Sequence, residues 1–122
     1  MSDQTKYPPE MEAALLAIFE RHVGKKNSIL RGPLLWKLTT MQVHSNERAM
    51  RECIKQLRRK GHLICSLPGA DGGYYYAENQ AEYEEFDRLE FGAKIADMNA
   101  TRQAMQAAAQ RIFSEAVQME LI

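Results

Sequence analysis

Apolar residues recur at helical spacing in three segments of the first sixty residues, which predicts three short helices. The first segment follows Pro8 and Pro9 and stops at Gly24, and the second opens at Gly32-Pro33, where proline suits the first turn of a helix. The apolar positions of the first are Met11, Leu15, Ile18, Phe19 and Val23, and those of the second are Leu34, Leu35 and Leu38.

The third segment has the clearest periodicity. Ser45 or Asn46 can accept hydrogen bonds from the backbone N–H groups at its start, and Gly61 can end it in the left-handed conformation. Its apolar residues follow the i, i+3, i+4, i+7 spacing of one buried face: Met50, Cys53, Ile54 and Leu57.

Two short β-type runs follow, over residues 62–66 and 74–77. They flank a glycine-rich loop of turn residues, 67–73, and together predict a hairpin. A further β-tolerant link, residues 27–30, lies between the first two helices. The predicted order is therefore helix, short strand, helix, helix, hairpin.

The remainder of the chain is predicted to be one long helix. Asn79-Gln-Ala-Glu82 is a capping-box pattern, and beyond it there is no proline and one glycine, Gly92. About forty helical residues would span roughly 60 Å. Within them, positions separated by alternating steps of four and three form the heptad repeat of coiled coils, apolar except at Arg102. We call them the C-terminal seam: Phe91, Ile95, Met98, Arg102, Met105, Ala109, Ile112, Ala116 and Met119.

An isolated helix would expose this seam to water, so the seam needs a partner surface. A homo-oligomer, either a dimer or a larger assembly, is the prediction, because two-fold dimers are the commonest solution. The alternative is that the seam folds back onto its own domain, with a bend near Gly92 or Asn99.

Charge divides the chain into two parts that the net value of zero conceals. Up to Ala77 there are 12 Lys and Arg against 7 Asp and Glu, and from Glu78 onward there are 4 against 9. The cations opposite the buried face of the third helix, and the two residues at its start, are candidate DNA contacts: Ser45, Asn46, Arg48, Arg51, Lys55 and Arg59. Four more cations could hold flanking phosphates: Lys25, Lys26, Arg31 and Lys37.

The segment Gly61-His-Leu-Ile-Cys-Ser-Leu-Pro-Gly-Ala-Asp-Gly-Gly-Tyr-Tyr-Tyr-Ala77 resembles the wing of biotin-repressor-type winged helix-turn-helix domains. In those domains a glycine ends the recognition helix, an apolar strand follows, and a Pro-Gly turn leads to Gly-Tyr in the return strand. The resemblance covers residues 10–77. It departs from the family in residues 39–44, which replace the usual glycine-containing turn, and in a wing tip longer than the shortest examples. The wing tip also carries Asp71 and no Lys or Arg, whereas a wing that grips phosphates usually has positive charge.

The resemblance implies a mainly α fold with a small β-hairpin (α+β): a winged helix-turn-helix domain followed by a long C-terminal helix. A wing followed by such a helix also resembles phage and prophage proteins. The implied function is sequence-specific binding of double-stranded DNA, in transcriptional regulation or a phage DNA transaction. Because fold alone does not fix function, a protein-binding winged-helix adaptor or assembly protein without DNA binding remains the alternative.

The resulting domain organisation is a flexible tail over 1–7, a winged-helix domain over 8–77 and an oligomerisation helix over 78–122. No apolar run approaches the ~20 residues that cross a membrane, so no membrane partner is expected. Cys53 and Cys65 make no disulfide framework, which favours a reducing cytoplasm. No catalytic motif and no Cys-x-x-Cys pair is present, so neither an enzyme nor a metal or cofactor site is expected.

Overall fold

The computed structural model describes the backbone of residues 6–69 and 72–121, with side chains as far as residue 114. Its elements are α1 Met11–Phe19, β1 Ile29–Leu30, α2 Arg31–Thr40, α3 Glu47–Arg59, β2 Ile64–Ser66, β3 Gly73–Tyr76, α4 Gln80–Asp87 and α5 Ala93–Leu121. A 3₁₀ turn, Lys25–Asn27, precedes β1, and a π-helical turn, Arg88–Gly92, precedes α5. The mainly helical α+β class expected from the sequence is confirmed. The chain divides into two compact units, Met1–Phe86 and Asp87–Ile122.

In the first unit, the three strands form one antiparallel sheet with β3 in the centre. Ile29 of β1 lies opposite Tyr74, and Cys65 of β2 lies opposite Tyr75. The predicted hairpin is thus present as β2 and β3. The predicted link between the first two helices supplies the edge strand β1.

The end of β3 also pairs with the chain that follows α1. Val23 forms a parallel bridge with Tyr76, and the N–H of Gly24 donates to the Tyr76 carbonyl at 2.8 Å. Val23 is 38 % exposed at this edge. The sequence predicted a first helix that reaches Gly24, and Val23 lies outside α1. The reason is that α1 ends at Phe19, before its apolar periodicity does.

The main core lies between α1, α2, α3 and the sheet. The face of α3 that the sequence predicted to be buried is fully confirmed, since Met50, Cys53, Ile54 and Leu57 are at most 2 % exposed. Burial raises the pKa of the Cys53 thiol to about 12, which keeps that thiol protonated and unreactive.

A second, smaller cluster lies where Tyr75 and Cys65 of the sheet pack with Phe86 of α4. Arg58 joins the two elements, because its Nε donates to the Ile64 carbonyl at 2.7 Å and its guanidinium carbon lies 5.0 Å from the centroid of the Phe86 ring. Successive tyrosines of β3 alternate between the two faces of the sheet, as strand geometry requires. Tyr74 therefore belongs to the main core and Tyr75 to the second cluster.

The turn between α2 and α3 closes without glycine. Gln42 adopts the left-handed φ of 64°, its N–H donates to the Thr39 carbonyl at 2.9 Å, and the N–H of Val43 donates to the Leu38 carbonyl at 2.9 Å. These two bonds make the Schellman motif that commonly ends a helix. Gly61, with φ 99°, has the equivalent position after α3.

At the start of α4, half of the predicted capping box is present. The Glu82 N–H donates to Asn79 Oδ1 at 2.9 Å. The Glu82 carboxylate does not return this bond to Asn79; it accepts from the N–H of Glu78 and from the N–H of Lys25, both at 3.0 Å. These two backbone bonds lower the pKa of Glu82 and hold α4 to the 3₁₀ turn.

The segment that precedes α1 contributes to the fold through Tyr7. Tyr7, which the sequence placed in a flexible tail, packs against the main core, and its hydroxyl donates to Glu12 Oε2 at 2.7 Å. Its aromatic ring buries apolar area against this core, which explains why it is held.

The second unit consists of the π-helical turn and α5. Its π hydrogen bonding begins at Arg88 and ends at Gly92, so the regular α-helical register starts at Ala93. The side chains of residues 91–107 are all exposed. Among the residues that the structure describes, no helix has the length and apolarity needed to cross a membrane.

Candidate nucleic-acid interface

Four cations lie along one exposed face of α3. Arg48, Arg51, Lys55 and Arg59 are all exposed, and at 100° per residue they fall within an arc of about 80° opposite the buried face. The amphipathic pattern of α3 dictates this placement, because the core fixes which side of the helix faces water. The structure therefore brings together the four predicted cations of this helix.

The two predicted contacts at the start of α3 have local structural roles. Asn46 Oδ1 accepts from the N–H of Ala49 at 2.8 Å and so caps the helix, and Ser45 Oγ donates to the Asn46 carbonyl at 3.2 Å. Asn46 is exposed and Ser45 is half-buried. The Asn46 side chain therefore caps the N-terminus of α3 and also faces water.

A surface hollow of about 350 Å³ adjoins the cap, lined by Lys6, Asn46, Arg48, Ala49 and Glu52. The pKa of Glu52 is lowered, first by the hydrogen bond from Gln56 and then by Lys55, Lys6 and Arg59. Lys6 thus adds a positive charge near α3. Sequence reasoning missed it, because nothing in the pattern of residues 1–7 indicates that Lys6 returns to the domain.

The start of α2 lies close to the same helix. Arg31 Nη1 forms a salt bridge with Glu47 Oε2 at 2.8 Å, which joins the N-termini of α2 and α3. Burial raises the pKa of Tyr74, while the nearby charges of Arg58, Arg31 and Arg51 oppose the rise. Arg31 and Arg51 therefore lie close to the part of β3 that pairs with β1.

Lys25 and Lys26 lie at the other end of β3. Their 3₁₀ turn follows Gly24, which is bonded to Tyr76, and Lys25 Nζ forms a salt bridge with Glu85 of α4 at 3.1 Å. The structure therefore groups Lys25 with an acidic helix rather than with the cations of α3.

Lys37 lies in the last turn of α2 and is half-buried. The sequence predicts phosphate contacts for Lys25, Lys26 and Lys37. Each remains a prediction.

The loop between β2 and β3 requires glycine for its shape. Gly69 has φ 105°, and a Cβ on Gly72 would overlap the Leu67 carbonyl oxygen. Asp71, the acidic residue expected at the tip, lies outside the described residues together with Ala70. The described part of the loop carries no Lys or Arg side chain, so its backbone is what it can offer to a phosphate.

Trp36 is the most exposed aromatic side chain among the described residues, at 67 %, and the sequence analysis missed it. It lies in α2 between Leu34 and Leu38, both of which are fully buried. A residue two positions from each of them points about 200° away, so the helical spacing itself could have shown that Trp36 faces water.

Every described member of the C-terminal seam within α5 is exposed except Ala109. Met98 and Met105 are 70 % and 68 % exposed, Ile95 and Ile112 are more than half exposed, and Ala109 is half-buried. Phe91 lies in the π-helical turn rather than in α5. The side chains of Ala116 and Met119 lie outside the described residues.

Within the described residues, no three His, Cys, Asp or Glu side chains are grouped as metal ligands. Comparison of the chain with known protein families, with curated proteins and with solved structures found no match.

Proposed function

We propose that residues 8–77 form a winged helix-turn-helix domain that binds double-stranded DNA sequence-specifically. The observation that carries the proposal is the cationic face of α3: Arg48, Arg51, Lys55 and Arg59 share one exposed face of a helix anchored by its opposite side. The order helix, strand, helix, helix, hairpin gives it further support.

In this proposal α3 enters the major groove. Its arginines and lysine donate to guanine O6 and N7 or to phosphates, and a well-placed bidentate contact contributes about 1–3 kcal/mol of discrimination between bases. Arg31 and Lys6 extend the positive surface toward the backbone of the duplex. The hairpin loop contributes backbone N–H groups, since its described part has no cationic side chain.

The biological role in this proposal is transcriptional regulation or a phage DNA transaction, with assembly through the C-terminal seam. The exposed apolar positions of α5 support assembly, because a soluble protein rarely leaves a continuous apolar stripe uncovered. Two copies would present two cationic helices to paired half-sites.

A titration of fluorescent duplex DNA at low salt tests DNA binding. The wild-type chain should bind, and Arg51→Ala combined with Lys55→Ala should weaken binding at least tenfold. The matched control is Lys94→Ala combined with Arg111→Ala in α5, which removes the same charge from outside the cationic face. Equal loss in both variants, or no binding by the wild type, would defeat the proposal.

The alternative function is a protein-binding adaptor, and the exposure of Trp36 favours it. Tryptophan is enriched among the residues that dominate protein–protein affinity, and burying this ring requires a partner. The adaptor function predicts that Trp36→Ala or seam substitutions abolish partner capture, whereas the α3 substitutions leave it intact. DNA binding by α3 predicts instead that the α3 substitutions weaken the affinity for duplex DNA, whereas Trp36→Ala leaves that affinity unchanged.

A further inference from the structure

The order of small, large and charged residues along the C-terminal seam bears on the orientation in which two copies of α5 pair. In heptad notation the members of the seam in α5 alternate between position a, at Ile95, Arg102 and Ala109, and position d, at Met98, Met105 and Ile112. We infer that the seam binds a second copy of itself in antiparallel orientation. This inference rests on the proposed assembly through α5 and specifies its geometry.

A parallel pair would match the seam poorly with itself. Parallel helices place each a residue opposite the same a residue, and each d residue opposite the same d residue. Arg102 would then face Arg102 of the second copy, with like charges across the seam. Ala109 would face Ala109, between layers formed by two Met105 and two Ile112 side chains, so small and large layers would alternate along the pair.

An antiparallel pair places every a residue opposite a d residue. Ala109, the one alanine among the described a positions, then always meets a large side chain, because the d positions are Met98, Met105 and Ile112. No layer then consists of two alanines or of two arginines. The layers are therefore more alike in size than in the parallel pair, which helps the two helices stay close along their length, as packing at protein-interior density requires.

The π-helical turn selects the register of this pair. Because regular α-helix begins at Ala93, the a and d positions from 95 to 119 belong to one helix and Phe91 does not. Overlap of residues 95–119 is centred on Ala107. This register places Met105 opposite Ala109 of the second copy and Arg102 opposite Ile112. The two Arg102 residues are then about 15 Å apart along the axis at 1.5 Å per residue.

The residues that flank the seam do not determine whether the pair is parallel or antiparallel, so the orientation depends on the seam layers. Between Asn99 and Phe113 the residues that border the seam are uncharged: Asn99, Thr101, Gln106 and Ala108. No flanking ion pair in this stretch therefore favours a parallel arrangement, and Arg102 is the charge that disfavours it. The outward-facing Ala93, Ala100 and Ala107 are exposed and lie seven residues apart, on the opposite side of the helix.

These three alanines give a direct test. Ala93→Cys, Ala100→Cys and Ala107→Cys are each spin-labelled, and the distance between labels in the assembly is measured by double electron–electron resonance. The antiparallel pair predicts that the axial part of the label-to-label distance is about 42, 21 and 0 Å respectively. The lateral separation of the two outward faces adds to each value, so the measured distance should be longest at position 93 and shortest at position 107. The wild-type chain controls for labelling of Cys53 and Cys65, which are buried.

Equal distances at all three positions would overturn the antiparallel orientation and leave the assembly intact. A monomeric mass in sedimentation, with no coupling at any position, would overturn assembly through the seam. Met105→Asp combined with Ile112→Asp should abolish the coupling, and its persistence would place the interface elsewhere. DNA affinity is measured separately on the same wild-type chain, so failure of DNA binding is distinguishable from each of these results.

Discussion

Glu12 joins three parts of the N-terminal unit through one carboxylate. It accepts from the Tyr7 hydroxyl at 2.7 Å and from Lys60 Nζ at 2.7 Å, so it links the segment before α1 to the end of α3. The bond from Lys60, followed by that from Tyr7, holds the pKa of Glu12 below its usual value of 4.5. A carboxylate that is easier to ionise in the folded state stabilises that state only while it is ionised.

Glu12→Gln should therefore lower the free energy of unfolding above pH 5, by about 1 kcal/mol. Because the folded-state pKa is lowered, the advantage of the wild type should be lost as pH falls through that pKa, and the two proteins should converge once the pH is below it. Urea denaturation between pH 3 and 7 measures this. The exposed Glu20→Gln serves as control, and a pH-independent difference for Glu12→Gln would contradict the account.

Gln42 forms a Schellman motif that its sequence does not indicate, because the residue in the left-handed position is usually glycine. The family that the wing resembles commonly has glycine in this turn, and Gln42 adopts the glycine conformation without being glycine. The two backbone bonds of the Schellman motif and the burial of Val43 hold it there. The left-handed conformation costs a non-glycine residue roughly 1–2 kcal/mol, so the turn is formed at a local cost.

Gln42→Gly should relieve that cost, offset partly by the entropy that glycine loses on folding. The expected result is stabilisation by about 0.5–1 kcal/mol, measured by thermal or urea denaturation. Gln42→Ala keeps the strain and is the matched control, expected to change stability little. A destabilised glycine variant would mean that the Gln42 side chain itself supports the turn.

At the scale of elements, α3 has separate sides for stability and for the proposed recognition. Its buried face and the Asn46 cap fix the helix, and its exposed face carries the four cations. Arg58 lies between the two faces and turns to Ile64 and Phe86, so it fastens the helix to β2 and α4. Asn46 combines the two roles, because it caps the helix and is also a candidate DNA contact.

Substitutions of Asn46 separate those roles. Asn46→Ala should cost about 1 kcal/mol in unfolding free energy, because the cap to Ala49 is lost. Asn46→Asp and Asn46→Ser both keep a capping oxygen and should retain stability. DNA affinity should fall for the aspartate alone, since its charge would repel phosphates, and equal affinities of the two capped variants would remove the start of α3 from the interface.

At the scale of the whole molecule, the boundary between the basic and acidic parts of the sequence, at residues 77 and 78, does not coincide with the boundary between the two compact units, which follows Phe86. The first unit extends to Phe86 and so includes the acidic start of α4, which leaves it with 12 Lys and Arg against 11 Asp and Glu. The separation of charge therefore occurs within this unit, between α3 and α4. Glu82 and Glu85 bind the backbone and side chain of Lys25, which explains why that lysine does not join the α3 cations.

Local patterns predicted the class, the element order and the buried face of α3, because helical and strand periodicity depends on neighbouring residues alone. Three features were beyond them: the bridge of Val23 to Tyr76, the salt bridge of Lys25 to Glu85 and the return of Tyr7 to the core. Each joins segments that no local spacing relates, and the salt bridge spans 60 residues. The position of Trp36 was available from the spacing of Leu34 and Leu38.

The salt dependence of duplex DNA affinity tests the central claim most directly. If Arg51 and Lys55 meet phosphates or bases, the logarithm of the association constant should fall linearly with the logarithm of salt concentration, and Arg51→Ala with Lys55→Ala should reduce that slope by about 2. Lys94→Ala with Arg111→Ala should leave the wild-type slope unchanged. A slope that is the same in all three proteins, or no wild-type binding at low salt, would contradict DNA recognition by α3.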